Sequence, residues 1–90
     1  MDETQFLERL QASGRAGETL ALIEKLGFTR AFVLKNVLDE ASEVNVAHVA
    51  MLWMGMPNKH DRKRTRQLLD ELTEAGLLSF DPATETWKPR

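Results

Sequence analysis

The residues of this chain that could do chemistry are concentrated in one basic cluster, which spans Asn58–Gln67. Five basic side chains stand there against one acid, Asp61, although the whole 90-residue chain has a formal net charge of −2. Lysine and arginine pair with phosphate or carboxylate oxygens, and a short basic block can create a positive patch on an acidic protein. The cluster therefore indicates nucleic-acid binding, with an ordinary solvated helix start as the alternative.

The remaining reactive residues do not form a catalytic or metal-binding pattern. His60-Asp61 is similar to the metal-binding His-Asp pair of phosphohydrolases, but His48 is the only other histidine and the chain has no cysteine. Metal sites need three or four ligands at defined spacing. No HExxH motif, Ser–His–Asp constellation or phosphate-cradling glycine loop is present. We therefore expect a protein that is not an enzyme and that uses no cofactor and no metal.

Length and composition predict one small folded domain. The chain is 42% hydrophobic and 29% charged, which is ordinary for a globular protein. No apolar run approaches the roughly 20 residues that span a bilayer, and the acidic N-terminus lacks a signal-peptide pattern. Residues 1–50 carry eight acids against five bases, whereas residues 51–90 carry six acids against seven bases. We expect a cytoplasmic protein with its positive charge in the second half.

The basic cluster opens the most clearly patterned helix of the chain. Asp61 is a candidate N-cap, and Gly76 is a candidate end because glycine adopts the left-handed conformation at no Cβ cost. Apolar or semi-apolar residues recur at helical spacing and predict one buried stripe. The stripe comprises Thr65, Leu68, Leu69, Leu72 and Ala75. The face left outside carries Arg62, Lys63, Arg66, Gln67 and Asp70.

Four other helices and one hairpin are predicted around this helix. The helices are Thr4–Ala12 with Thr4 as cap, Glu18–Leu26 ended by Gly27, Phe28–Ser42 with Thr29 as cap, and Ala47–Met54. Glycine-rich or proline-containing breaks stand at Ser13–Gly17 and Gly55–Asn58. Glu43–Val46 is a short extended segment. Leu77–Phe80 and Glu85–Lys88 are strands joined by an Asp-Pro turn at Asp81–Thr84.

The helix Phe28–Ser42 is predicted to be the central helix of the core. Its apolar positions recur at helical spacing along one face. The predicted stripe comprises Ala31, Leu34, Leu38 and Ala41, and it is broadened by Phe32, Val33 and Val37.

The order helix, extended segment, helix, turn, helix, hairpin resembles the winged helix-turn-helix superfamily over residues 31–88. The motif RTRQLLDELTEAGLL, followed by SFDPATETWK, is similar to the recognition helix and wing of bacterial MarR-, GntR- and ArsR-like regulators. The resemblance implies a mainly α fold with a small β-hairpin. It also implies a winged-helix domain at 28–90, preceded by a helical extension at 1–27 that either covers the core or forms a dimer.

The resemblance further implies a transcriptional or replication regulator that places its basic helix in the major groove of double-stranded DNA. Arg62, Lys63, Arg66 and Gln67 would then face the groove. Asn58, Lys59 and His60 are expected in the preceding turn, near phosphates, and Arg64 is ambiguous beside the buried Thr65. The candidate DNA-binding residues are Asn58, Lys59, His60, Arg62, Lys63, Arg64, Arg66, Gln67 and Lys88. The partner implied is double-stranded DNA, and a second copy of the chain is a further partner if the N-terminal helices form a dimer rather than cover the core.

Two features depart from the winged-helix pattern and support an alternative function. Asp81 and Glu85 make the predicted wing tip acidic, and a bulky apolar group precedes the basic helix. That group comprises Met51, Trp53, Met54 and Met56. Burial between packed elements is the favoured interpretation of the group, and a surface for a protein partner is the other. The alternative function is therefore a winged-helix interaction module, such as an inhibitor or assembly adaptor. Trp87 is predicted to pack the hairpin on the helices.

Overall fold

A computed structural model of the protein describes residues 1–39 and 43–90, with five helices and one antiparallel hairpin in those ranges. The helices are α1 (Glu3–Ser13), α2 (Ala16–Lys25), α3 (Arg30–Asn36), α4 (Val46–Met54) and α5 (Lys59–Glu74), and the strands are β1 (Leu78–Asp81) and β2 (Thr86–Pro89). The prediction of a mainly α fold with a small β-hairpin is confirmed. None of the helices described is both long and apolar enough to cross a membrane.

Helix α5 is the element around which the core forms. Its predicted stripe is confirmed, because all five positions are buried. They are Thr65, Leu68, Leu69, Leu72 and Ala75. The helix contacts α2, α4 and β1, so one stripe serves three neighbours.

The start of α5 differs from the prediction. Asn58, not Asp61, is the N-cap: its side chain accepts from the Asp61 N–H at 2.9 Å, and the Asp61 carboxylate accepts from the Asn58 N–H at 3.0 Å. This reciprocal capping box satisfies two backbone donors, whereas a cap at Asp61 would satisfy fewer. Lys59 and His60 therefore lie in the first turn of α5 rather than before it. The predicted end is confirmed, since Gly76 follows the C-cap with φ +79°.

Helix α1 begins earlier than predicted, at Glu3. Asp2 is its cap instead of Thr4, because Asp2 and Gln5 form a second capping box, with bonds of 2.8 and 3.2 Å. Phe6 and Leu10 of α1 are fully buried in the same core as α5.

Helix α2 also begins earlier than predicted, at Ala16 rather than Glu18. The break is shorter than expected because only Gly14, with φ +76°, adopts the left-handed conformation there, whereas Gly17 continues the helix. The end of α2 lies just before Gly27, as predicted, and Gly27 has φ +87°. Helices α1 and α2 thus cover one side of the core of this chain.

Helix α3 is much shorter than the predicted Phe28–Ser42. It ends at Asn36, and the N–H groups of both Val37 and Leu38 then donate to the Val33 carbonyl at 3.0 Å. Two donors on one carbonyl break the regular helical ladder, although the apolar pattern continues through these residues. The predicted positions Ala41 and Ser42 lie outside the described residues.

The predicted apolar face of α3 is confirmed in part, because Leu38 of the stripe and the broadening positions Val33 and Val37 are buried. Ala31 is exposed and Leu34 is only half-buried, whereas the buried positions are Val33, Val37 and Leu38. Because α3 ends at Asn36, Val37 and Leu38 lie after the helix and enter the core from there. Helix α5, rather than α3, is the central helix. The prediction that Thr29 caps α3 is confirmed by a bond of 3.1 Å from the Phe32 N–H.

The hairpin forms with each strand one residue later than predicted. Phe80 pairs with Trp87 across it, and their rings lie 4.5 Å apart. Trp87 is fully buried, which confirms that it packs the hairpin on the helices. Val44 exchanges two backbone hydrogen bonds with Trp87, at 2.9 and 2.8 Å, so this predicted extended segment lies beside β2. The turn is held by the Asp81 carboxylate, which accepts from the Ala83 N–H at 2.9 Å.

Helix α4 has one face in the core, but its methionines are not buried. Val49 and Ala50 are fully buried, and Trp53 packs partly buried against Phe28 and Phe32, at 5.2 and 4.7 Å between ring centroids. The exposed remainder forms a methionine patch of Met51, Leu52, Met54 and Met56, with exposed fractions of 56%, 48%, 46% and 93%. The favoured prediction that these methionines pack between elements is wrong, because of the four bulky residues only Trp53 packs against Phe28 and Phe32, whereas Met51, Met54 and Met56 are exposed.

Candidate nucleic-acid interface

An open groove of about 680 Å³ lies where α4, α5 and the hairpin tip meet. We call it the basic groove. It is lined by Asn45, Val46, Ala47, Lys59, Arg62, Lys63, Arg66, Thr84, Glu85 and Trp87. Four of these residues are basic, and Glu85 is the only acid among them, so the groove carries net positive charge.

The four basic residues line one groove because of their spacing on α5. Positions three and four residues apart lie on the same side of a helix. The set is Lys59, Arg62, Lys63 and Arg66. The rotation of α5 about its axis is fixed by the buried stripe on the opposite side, and its first turn is fixed by the Asn58 cap. The core residues therefore hold the basic face toward solvent.

Three of these cations are available to an external anion. Lys59 and Lys63 are exposed and form no ion pair within the described parts of the chain. Arg62 is also exposed, and it donates to the Pro57 carbonyl at 3.1 Å. A backbone carbonyl neutralises no charge, so Arg62 retains its attraction for phosphate.

Arg66 differs from the other three because the hairpin holds it. Its guanidinium carbon lies 5.3 Å from the Phe80 ring centroid and 5.1 Å from that of Trp87. Its nitrogens lie 3.5 Å from the Asp70 carboxylate and 3.9 Å from that of Glu85. Cation–π contacts and ion pairs together fix the guanidinium between α5 and the hairpin.

Arg64 turns away from the basic groove and back onto the protein. It pairs with the nearly buried Asp61 carboxylate and donates to the Leu26 carbonyl at 3.4 Å. The Asn58 N–H and the Arg64 guanidinium together hold the pKa of Asp61 below its ordinary value. Arg64 therefore connects the start of α5 to the end of α2.

The other predicted residues lie outside the groove. Asn58 caps α5, and His60 is exposed in its first turn without lining the groove. Gln67 lies beside Asp70, Glu71 and Glu74 in a shallow acidic depression. Lys88 lies on β2, 3.7 Å from the Glu43 carboxylate. Of the nine candidates, the structure brings together Lys59, Arg62, Lys63 and Arg66.

The N-terminus of α4 also lines the groove, although the sequence does not predict its place there. Asn45 caps this helix by accepting from the His48 N–H at 2.8 Å, and Val46 and Ala47 follow along the groove. The partial positive charge of a helix N-terminus adds to that of the basic side chains. The Asn before an apolar run signals a helix start. Nothing in that signal indicates that the start lies beside α5.

No group of three or more metal-ligating side chains is found in residues 1–39 and 43–90. Comparison of the chain with protein-family models, with curated proteins and with solved structures gave no match.

Proposed function

We propose that this chain is a winged helix-turn-helix protein that binds double-stranded DNA by placing α5 in the major groove, as a regulator of transcription or replication with no enzymatic activity. The observation that carries the proposal is the division of α5 into two faces. Lys59, Arg62 and Lys63 face solvent on one side, while the opposite side is buried in the core. A helix so mounted offers its N-terminal cations to an external polyanion.

The order of the elements supports the winged-helix assignment. The segment at Val44 lies beside β2, α4 packs on α5, and the hairpin follows α5 directly. The 16 residues of α5 span about 24 Å, and a helix of ordinary diameter fits a major groove about 12 Å wide. Both features are what the winged-helix mode of DNA binding requires.

We assign the cations different roles in the complex. Lys59 and Lys63 carry compact, freely rotating ammonium groups suited to phosphate oxygens. Arg62 carries a planar guanidinium that can donate two parallel bonds to guanine O6 and N7. The N-terminus of α4 would lie near the DNA backbone and strengthen phosphate binding there.

The test compares two double variants that remove equal charge. The groove variant is Lys59→Gln/Lys63→Gln, and the control variant is Lys25→Gln/Lys35→Gln, which removes exposed lysines from α2 and α3. Fluorescence anisotropy with a labelled random duplex gives the affinity of each protein over a range of salt concentrations. Circular dichroism checks that both variants remain folded.

We expect the groove variant to lose roughly tenfold in affinity per lysine at low salt, with the slope of log affinity against log salt reduced by about 0.9 for each lost phosphate contact. The control variant should bind like the wild type, because its lysines lie away from the basic groove. Equal losses in both variants would mean that only net charge matters. Absence of duplex binding by the wild type at low salt would overturn the proposal.

The methionine patch favours a second candidate function, which is binding to another protein. Three methionines and a leucine are exposed on α4 and in the turn that follows it, and such side chains form the adaptable apolar surface that protein partners use. If this candidate is correct, the chain assembles with itself or with a partner protein. The double substitution Met51→Ser/Met56→Ser should disrupt that assembly, and the groove variant should leave it intact. Sedimentation velocity of the purified chain over a concentration series tests self-assembly. A monomer at every concentration would remove that form of the candidate.

A further inference from the structure

The hairpin tip places one acid at the rim of a groove that is otherwise positive. Glu85 is 76% exposed, and its carboxylate lies 3.9 Å from an Arg66 guanidinium nitrogen. Arg66 also rests on the Phe80 and Trp87 rings, so it cannot move toward a ligand without leaving the hairpin. Glu85 thus shares Arg66 with Asp70, which lies 3.5 Å away, and places a second negative charge beside the guanidinium that a phosphate would approach.

The backbone conformation at position 85 is one that glutamate seldom adopts. Glu85 has φ +53°, and it is the only non-glycine residue in the left-handed region among residues 1–39 and 43–90. Glycine and asparagine adopt this conformation at lower cost than glutamate. The tip therefore bears a long acidic side chain where the turn alone would favour glycine, asparagine or aspartate.

We propose that Glu85 is a specificity-determining residue, which weakens binding to the DNA backbone by occupying Arg66 and repelling phosphate from the hairpin end of the basic groove. This inference rests on the proposed function of the groove. Nucleic acid is then held from the Lys59 end, and the hairpin serves as a support for Arg66 rather than as a second DNA contact. Phosphate contacts do not depend on DNA sequence. When they are weakened, contacts to the bases supply a larger share of the affinity.

The experiment measures duplex affinity against salt for Glu85→Gln and Glu85→Asn. The first removes the charge with little change of shape, and the second removes it with a residue suited to φ +53°. Glu24→Gln, an exposed acid on α2, is the control for net charge. Arg66→Gln and Arg66→Gln/Glu85→Gln complete a double-mutant cycle. A parallel arm follows inorganic tripolyphosphate binding through the amide shifts of Ala47 and Lys63.

We expect both Glu85 variants to bind random duplex about two- to five-fold more tightly than the wild type, as for release of one exposed ion pair. The salt slope should steepen by about 0.9, for one new phosphate contact. The Glu24 control should be unchanged, and the gain should vanish when Arg66 is replaced. Binding by Glu85→Gln equal to that of the Glu24 control, or a gain that persists without Arg66, would overturn the inference.

The two arms separate this inference from the proposed function. If duplex binds and depends on Lys59 and Lys63 but not on Glu85, the function stands and the inference fails. If no protein in the series binds duplex, the proposed function and the DNA part of the inference fail together, and the tripolyphosphate arm then tests only whether Glu85 repels phosphate from the groove. Tighter tripolyphosphate binding by Glu85→Gln than by the wild type would then support a Glu85 gate on the groove, and equal binding would overturn it.

Discussion

The two halves of α5 carry opposite charge. The acid Glu71 in the C-terminal half bonds to other parts of the protein, whereas the lysines in the N-terminal half face solvent. In the C-terminal half, Glu71 accepts two bonds from Arg15, at 2.9 and 3.0 Å, and one from the buried Thr19, at 3.2 Å. This acid is satisfied inside the protein and raises the pKa of Arg15 above its ordinary value. In the N-terminal half, Lys59 and Lys63 have no ion pair within the described residues.

The difference shows how one helix can stabilise the fold with one half and offer the other half to a binding partner. Glu71 is 10% exposed, and its bonds to α2 hold the N-terminal helices on the core. The lysines of the first turns contribute nothing comparable to the fold, so their charge is free to act on a partner. Changes in the C-terminal half should therefore alter unfolding, and changes in the N-terminal half should alter binding.

The largest expected effect comes from removing a core side chain of the C-terminal half. Leu72→Ala leaves a cavity at a fully buried position and should lower the free energy of unfolding by about 2–5 kcal/mol. Urea denaturation measures it. Met56→Ala is the matched control at a 93% exposed position and should change stability by less than about 0.5 kcal/mol. Equal effects at the two positions would contradict the assignment of the core.

A smaller effect is expected from separating Arg15 and Glu71. Arg15→Gln and Glu71→Gln should each lower Tm, by less than Leu72→Ala does, because each leaves a charged group without its partner. The double variant should lose less than the two single variants together, since both remove the same interaction. Thermal unfolding of the four proteins measures the coupling. Strictly additive losses would mean that the pair does not hold α2 on α5. Duplex affinity should be unchanged throughout.

The smallest effect concerns the pH dependence contributed by Asp61. Its pKa is lowered in the folded protein by the Asn58 N–H and by Arg64. The carboxylate therefore stabilises the fold above its unfolded pKa of about 3.9, and this stabilisation is lost as pH falls through the lower folded value. Asp61→Asn should be less stable than the wild type at pH 7 and should lose less stability on acidification. Urea unfolding between pH 7 and pH 3 compares the two slopes; parallel slopes would contradict the lowered pKa.

Much of α5 and the hairpin could be predicted because their signals are local. The buried stripe repeats at helical spacing, Gly76 permits the left-handed turn, and Asp81-Pro82 opens the turn between the strands. The N-cap of α5 is harder to predict, because both Asn58 and Asp61 can cap a helix, and only the reciprocal bonds between them select Asn58. The end of α3 at Asn36 cannot be predicted from a local signal, because no glycine or proline marks it.

The site was less predictable than the fold because its geometry depends on distant segments. Basic residues at three-and-four spacing indicated the exposed face of α5. Whether a given arginine turns outward or inward depends on the Leu26 carbonyl for Arg64 and on two hairpin rings for Arg66. Neither partner is adjacent in sequence. The position of Glu85 at the groove rim is also unpredictable from sequence, because it depends on how the hairpin packs on α5.

The most direct test of the central claim is a map of where duplex DNA contacts the ¹⁵N-labelled protein in solution. Titration with a short duplex should shift the amide signals of Val46, Ala47 and Lys59–Arg66, and it should leave Thr19–Ile23 and Glu71–Glu74 unchanged. That pattern would assign binding to the N-terminal half of α5 and the groove beside it. Shifts confined to Met51–Met56, or no shifts at saturating duplex, would contradict the account.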